Sequence, residues 1–222
     1  MIGVEHFFLY VMDETLDGWP DMDYITYIPF NLNPKMRGNY NIFLFQIAAQ
    51  VNAIHRGRSY DLDWITMNDM DEYWVPRAGN ITFREYLDAH RNDEISGIQG
   101  ETVAFGNPPK TKERQPLLLD YVWRGNKTFG KRDRVKCVVR PRLVDYYQIH
   151  WITGHTGSVF RANHNELWIH HYKRPKNGVF QAKPGDITMD TSLRDQFSAA
   201  VGNKVDAILS QIKESTAAVY NA

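Results

Sequence analysis

The run Trp64-Ile65-Thr66-Met67-Asn68-Asp69-Met70-Asp71-Glu72-Tyr73-Trp74 constrains this chain more than any other stretch. An apolar segment of strand character ends abruptly in two carboxylates one residue apart. In an extended backbone the side chains at i and i+2 leave from the same face. The pattern therefore predicts that Asp69 and Asp71 converge on one small volume at the end of a strand. Two hard oxygen anions held that close repel each other unless a cation lies between them. Mg²⁺ and Mn²⁺ suit such a pair, because they are held by one or two carboxylates together with substrate phosphates. An isolated D-x-D is more plainly a solvated acidic turn. Its place directly after a hydrophobic segment, in the middle of a mixed sequence, favours metal and phosphate.

Composition narrows the partners. Lys plus Arg and Asp plus Glu both number 26, a formal net charge of zero. That excludes a general nucleic-acid or anionic-membrane binder, whose affinity rests on excess positive charge. No apolar run is long enough to span a bilayer. The segment from Ile2 to Val11 carries Glu5 and His6 and reads as a strand, not a signal peptide. Cys137 is the single cysteine, so no internal disulfide forms and a reducing, cytoplasmic setting is expected. The acceptor patterns at Asn80 and Asn126 carry no weight without a sign of secretion. Six Trp, twelve Tyr and eleven Phe mostly furnish a core, with a mild lean toward carbohydrate, whose flat faces stack on rings.

Along the chain, Val4 to Val11 and Tyr24 to Phe30 read as strands, with a loop from Asp13 to Pro20 between them. Residues 40–55 read as a helix with Leu44, Ile47, Ala48, Val51 and Ile54 on its apolar face, stopped by Gly57. Trp64 to Asn68 is the strand expected to present the D-x-D. Thr82 opens a helix with Glu85 completing a capping box, running to about His90. Strand patterns follow at 100–105, 117–123, 135–139, 147–152 and 166–172, then a helix over 192–215. The order predicts an α/β sheet with antiparallel additions in the second half. One domain over residues 1–190 is expected, with residues 191–222 as a C-terminal helix packed on it.

A second apolar strand, Leu167-Trp168-Ile169-His170-His171-Tyr172, ends in groups that can ligate. His6, His55, His90 and His150 read as ordinary core or surface residues. His171 differs because it ends the strand and precedes the basic cluster Lys173, Arg174 and Lys176. An imidazole beside two carboxylates gives a mixed N/O set that suits Mn²⁺ better than Ca²⁺. The cations nearby, with Lys183, are placed in sequence to hold a diphosphate that the metal also touches.

These pieces resemble a known family. Asp69-Met70-Asp71-Glu72-Tyr73 resembles the D-x-D-E-[FY] signature of GT-A glycosyltransferases of the glycosyltransferase-2-like and family 92 kind. Gly3 to Tyr10 resembles its G-V-x-H-F-x-L-Y strand, and Gln46 through Arg58 its helix bearing Gln, Asn and Arg. Ala104-Phe105-Gly106 resembles its F-G step, Lys136 to Pro141 its K-s-I-v-R-P segment with His150 following, and His171-Tyr172-Lys173 with Lys183 its closing motif. The resemblance spans about residues 3–185 and is collinear.

It implies a GT-A, Rossmann-like fold with a mainly parallel sheet flanked by helices. It implies transfer of a sugar from a nucleoside-diphosphate sugar, a UDP-sugar first among them, to a hydroxyl acceptor such as a glycan. It implies Asp69, Asp71 and His171 around Mn²⁺ or Mg²⁺, with Asp13, Gln46, Asn52, Arg56, Lys173 and Lys183 toward the donor. The chain departs from the pattern in three places. The sequence opens at the first motif, so the strand and helix that the family carries ahead of it are not among these residues. The aspartate expected after Leu9-Tyr10 is displaced to Asp13, and Arg174-Pro175-Lys176 replaces a serine-bearing segment. Inversion at the anomeric carbon would need a carboxylate base near the acceptor hydroxyl. Asp120, Asp145 and Glu101 are the candidates, and neither the choice nor the stereochemistry follows from sequence. Two other classes compete: an inactive carbohydrate- or nucleotide-binding relative, and a HAD-type phosphatase. The phosphatase signature continues D-x-D-G near the chain start, whereas Glu72-Tyr73 follows here.

Overall fold

The computed structural model describes residues 3–12, 16, 19–30, 39–77, 79, 81–106, 119, 121–128, 135–172 and 185–220. Its elements run β1 (Phe7–Val11), β2 (Ile25–Pro29), α1 (Asn39–Ser59), β3 (Ile65–Thr66), β4 (Glu72–Pro76) and α2 (Phe83–Ala89). They continue with β5 (Ile95–Gly106), β6 (Trp123–Gly125), β7 (Val135–Val139), β8 (Val144–Gln148), β9 (Trp151–His155) and β10 (Ser158–Arg161). The last are β11 (Leu167–Tyr172), β12 (Ile187–Met189) and α3 (Ser192–Tyr220).

The twelve-residue β5 organises an eight-stranded sheet. Apolar and small residues on both of its faces suit a strand covered on both sides. Glu101 is in register with Val135 of β7 and with Trp168 of β11, so those two strands flank β5 on opposite edges. β3 continues the sheet beyond β7, and β4 continues it beyond β11. Residues 67–71 join β3 to β4, so the chain crosses from one edge of β5 to the other along this segment. β1 and β2 form a separate parallel pair, and β8 and β9 an antiparallel hairpin.

Side chains alternate across the sheet. On one face Trp74, Ile98, Val138, Leu167 and Ile169 pack with Phe83, Tyr86 and Leu87 of α2. On the other, Cys137 and Val139 pack with Ala53 and Ile54 of α1 and with Met67. Val75, Val103, Phe105, Trp168 and Tyr172 meet Leu193 and Phe197 at the start of α3 on that same side. Burying such side chains is worth about 1.5–3 kcal/mol each, so these clusters fix the strands that carry the site.

The mixed α/β class expected from sequence is observed. Three described pairings are parallel and six antiparallel, so the parallel share is smaller than expected. The capping box at Thr82 forms as expected: its hydroxyl accepts from the Glu85 N–H at 3.2 Å, and Glu85 accepts from the Thr82 N–H at 2.6 Å. Gly57, expected to stop α1, lies inside it. A Cβ there would meet Pro141 Cγ at 2.7 Å, so the glycine permits close approach to the turn after β7. The strand expected over 147–152 is broken at residues 149 and 150, the bend between β8 and β9, where Ile149 takes φ +44° and its N–H donates to Gln50 Oε1 at 3.0 Å. Residues 117, 118 and 120 of the 117–123 strand lie outside the described residues. Among the described residues no helix is long and apolar enough to cross a membrane.

Candidate functional site

The strand expected to run through Asn68 ends at Thr66, and the acidic residues form a turn ahead of β4. The Glu72 N–H donates to the Asp69 carbonyl at 3.0 Å, closing a turn over Asp69-Met70-Asp71-Glu72. The i, i+2 rule for extended backbone therefore does not govern Asp69 and Asp71. Asn68 secures the entry to the turn. Its Oδ1 accepts from the Thr66 hydroxyl at 2.5 Å and the Trp74 indole at 2.8 Å. The Trp74 ring stacks on Phe83 in the core, with centroids 5.1 Å apart. The turn is thus braced at both ends, while Met70 at its tip is 84% exposed.

Each acidic side chain has a different neighbour. The Lys136 ammonium lies 3.2 Å from Asp69 Oδ2 and 3.2 Å from Glu72 Oε2. His171 Nε2 lies 3.5 Å from Asp71 Oδ2, and its Nδ1 lies 3.9 Å from Glu72 Oε1. Strand phase explains the grouping. Glu72 alternates with Trp74, Lys136 with Val138, and His171 with Ile169, so all three leave the α2 face of the sheet. On that face β5 presents Gly100 opposite Lys136 and Ala104 opposite His171. At Gly100 the missing side chain makes room for the Trp74 ring, which a Cβ there would meet at 2.6 Å. The Tyr172 N–H also donates to the Asp71 carbonyl at 2.8 Å, fastening the turn to β11.

Exposure separates the carboxylates further. The side chains of Asp69 and Asp71 are 48% and 33% accessible, whereas those of Glu72 and Lys136 are 4% and 2%. Burial pushes the Glu72 carboxyl up to about 7, against the pull of Lys136 and the Asp69 N–H and with the push of the Asp69 charge. A buried ammonium requires such partners, since an unpaired one is costly to remove from water. Sequence reasoning had not placed Lys136 and Glu72 in the site. The signal for Lys136 was available: a lone cation in the otherwise apolar run Val135-Lys136-Cys137-Val138-Val139, every residue of which is buried.

Of the other sequence-predicted residues, Asn52 and Arg56 come together on α1. Asn52 Oδ1 accepts from the Tyr10 hydroxyl at 2.8 Å and from Arg56 Nε at 2.9 Å, tying α1 to β1. Gln46 is half-buried on the same helix. Asp145 is exposed and paired with Arg58 at 2.6 Å on the β8 hairpin. Glu101 is in phase with Val103 and Phe105, on the sheet face opposite to Lys136 and His171. Asp13, Asp120, Lys173 and Lys183 lie outside the described residues, as do Arg174 and Lys176.

The arrangement offers two water-facing carboxylates with a fixed positive charge beneath one and an imidazole beside the other. Among the described residues no three His, Cys, Asp or Glu side chains form a metal-holding set. Mg²⁺ and Mn²⁺ that arrive with a phosphate ligand need only one or two protein carboxylates. The open oxygens of Asp69 and Asp71 fit that mode. Comparison with curated proteins gives no match. The model of glycosyltransferase family 92 matches residues 1–209, nearly the whole chain, and the chain belongs to that family of glycosyltransferase enzymes.

Proposed function

We propose that the acidic turn binds the diphosphate of a nucleoside-diphosphate sugar, a UDP-sugar first among them, through Mn²⁺ or Mg²⁺. The sugar passes to a hydroxyl acceptor such as a glycan. The observation that carries this reading is the turn itself: Asp69 and Asp71, both water-facing, the first against buried Lys136 and the second beside half-buried His171. It occurs in a chain whose family transfers glycosyl groups. The parallel pairings of β10 and β11 with β5 in the mixed sheet, and the separate parallel pair β1–β2, support the GT-A reading of the fold.

Breaking the sugar–phosphate bond leaves a nucleoside diphosphate whose negative charge grows in the transition state. A divalent ion on the turn would supply Lewis-acid stabilisation of that charge, worth several kcal/mol. The chain's own groups act around it. Asp71 and Asp69 present oxygen ligands, and Lys136, 3.2 Å from both Asp69 and Glu72, offsets the repulsion between the carboxylates of the turn. His171 orients beside Asp71. Lys173 and Lys183 follow β11 in sequence, and this reading assigns their positive charge to the leaving diphosphate.

Release of nucleoside diphosphate from a panel of nucleotide sugars, with Mn²⁺ or with EDTA, tests the reading. Metal-dependent release from at least one donor, stimulated by a glycan acceptor, is the expected result. Turnover that EDTA leaves unchanged contradicts the metal assignment. Uptake of a nucleotide sugar without any turnover contradicts transfer.

A further inference from the structure

On the sheet face away from the acidic turn, two arginines share one tryptophan. Trp168 of β11 stands in register with Val75 of β4 and is only 9% exposed. Arg77, which directly follows β4, lays its guanidinium over the indole, the central carbon 4.0 Å from the ring centre. The Arg124 guanidinium of β6 lies 5.0 Å from the same centre. Arg124 is fully engaged: its Nε donates to Asp190 Oδ2 at 2.9 Å and its Nη1 to the Gly125 carbonyl at 3.2 Å. Asp190 is engaged too, because its other oxygen accepts from the Ser192 N–H at 3.1 Å and hydroxyl at 2.6 Å. Arg77 is exposed, and among the described residues no carboxylate pairs with it. The Trp168 indole nitrogen is buried and has no hydrogen-bond partner among the described residues.

We propose that Arg77 and the Trp168 indole N–H form a binding site for a singly charged carboxylate, such as the one an acidic sugar carries. Stacking on the ring uses none of the five guanidinium donors, so the planar fork that matches a carboxylate stays available. A buried N–H left unpaired is costly, and it belongs to the ring that the guanidinium covers. A ligand oxygen that engages Arg77 and reaches this N–H relieves that cost. The second guanidinium adds positive potential, held in place by Asp190. Glu101 stands in register with Trp168 and leaves the same face of the sheet. Together with Asp190 it limits the surplus charge, which favours a carboxylate over a doubly charged phosphate. The site shares no residue with the acidic turn and needs no metal, so it stands apart from the transfer reading above.

The indole N–H of Trp168 gives its own signal in a proton–nitrogen correlation spectrum of the ¹⁵N-labelled chain, assigned by its loss in Trp168→Phe. Titration with sodium glucuronate in EDTA, which keeps metal off the acidic turn, is expected to shift that signal saturably. Glucose at the same concentrations is expected to leave it in place. Arg77→Gln, a change at the surface, should weaken glucuronate binding about tenfold or more by removing a charge-assisted contact. Arg142→Gln, an exposed arginine elsewhere, should not. Sodium acetate separates the two sources of the carboxylate: weaker binding than glucuronate assigns an acidic sugar, and equal binding assigns the bare group. No shift with either carboxylate, an equal shift with glucose, or tighter binding of inorganic phosphate overturns the proposal. So does glucuronate affinity that survives in a folded Arg77→Gln; should that variant not fold, the four ligands on the native chain decide.

Discussion

His170 and His171 are neighbours on β11, yet they occupy opposite chemical worlds. His171 faces Asp71 and Glu72 at the acidic turn. His170 points the other way, wholly buried, with its Nδ1 3.3 Å from the Tyr172 hydroxyl and its ring 4.4 Å from that of Phe105. Among the described residues its Nε2 finds no hydrogen-bond partner. Burial pulls its pKa down to about 3, with Arg77 and Arg124 adding to the shift and Asp190 opposing it, so this imidazole is neutral and behaves as a core aromatic. The alternation of a strand, not residue type, decides which histidine of a pair is available for chemistry.

The largest effect that sharpens this contrast belongs to the turn. Asp71→Asn should fold normally and lose metal-dependent donor turnover by about a thousandfold, at 1.4 kcal/mol per decade of lost charge stabilisation. Near-native turnover in Mn²⁺ would reduce the turn to a structural feature. On the core face, His170→Ala should cost about 3 kcal/mol in urea unfolding through the cavity it leaves, while donor affinity of the folded protein stays unchanged. If it instead changed donor affinity and spared stability, the two faces would not be separate.

Next in size is a pH effect. The unfolded imidazole takes up a proton below about 6.5, whereas the buried His170 resists until about 3. The unfolded state therefore binds more protons in this window, and the stability His170 contributes is lost as pH falls through it. His170→Phe should flatten that acid limb in chemical denaturation, and an unaltered slope would remove His170 as its source. Smallest is His171→Ala, expected to weaken Mn²⁺ dependence of donor binding by about tenfold. No change at limiting Mn²⁺ would remove His171 from the site.

Much of the fold was legible because its signals are local. The capping box at Thr82 and Glu85 and the strand characters of β1, β2, β7 and β11 each lie within one window of sequence. The face expected to be apolar on α1, by contrast, is not the buried one: Leu44 and Ala48 are exposed, and Phe45, Ala49 and Ala53 are buried with Ile54. The acidic site was legible as composition and spacing but not as conformation. Whether Asp69 and Asp71 extend a strand or turn a corner depends on the chain crossing β5 to reach β11, which no local pattern encodes. The pairing of Lys136 with Asp69 joins positions far apart in the chain, and only strand order brings them together. Gly57 misled for a related reason: helix-stop and close-approach glycines look alike until Pro141 is seen against it. Ile149 at positive φ is rarer still, because a β-branched residue argues locally for a continuing strand.

The central claim is that the turn at Asp69 and Asp71 takes up a diphosphate through a divalent ion. Calorimetric titration of the native chain with UDP, once in Mn²⁺ and once in EDTA, tests it most directly. Saturable binding in Mn²⁺ that disappears in EDTA is the result this structure predicts. Equal affinity in both, or heat in neither, would contradict it.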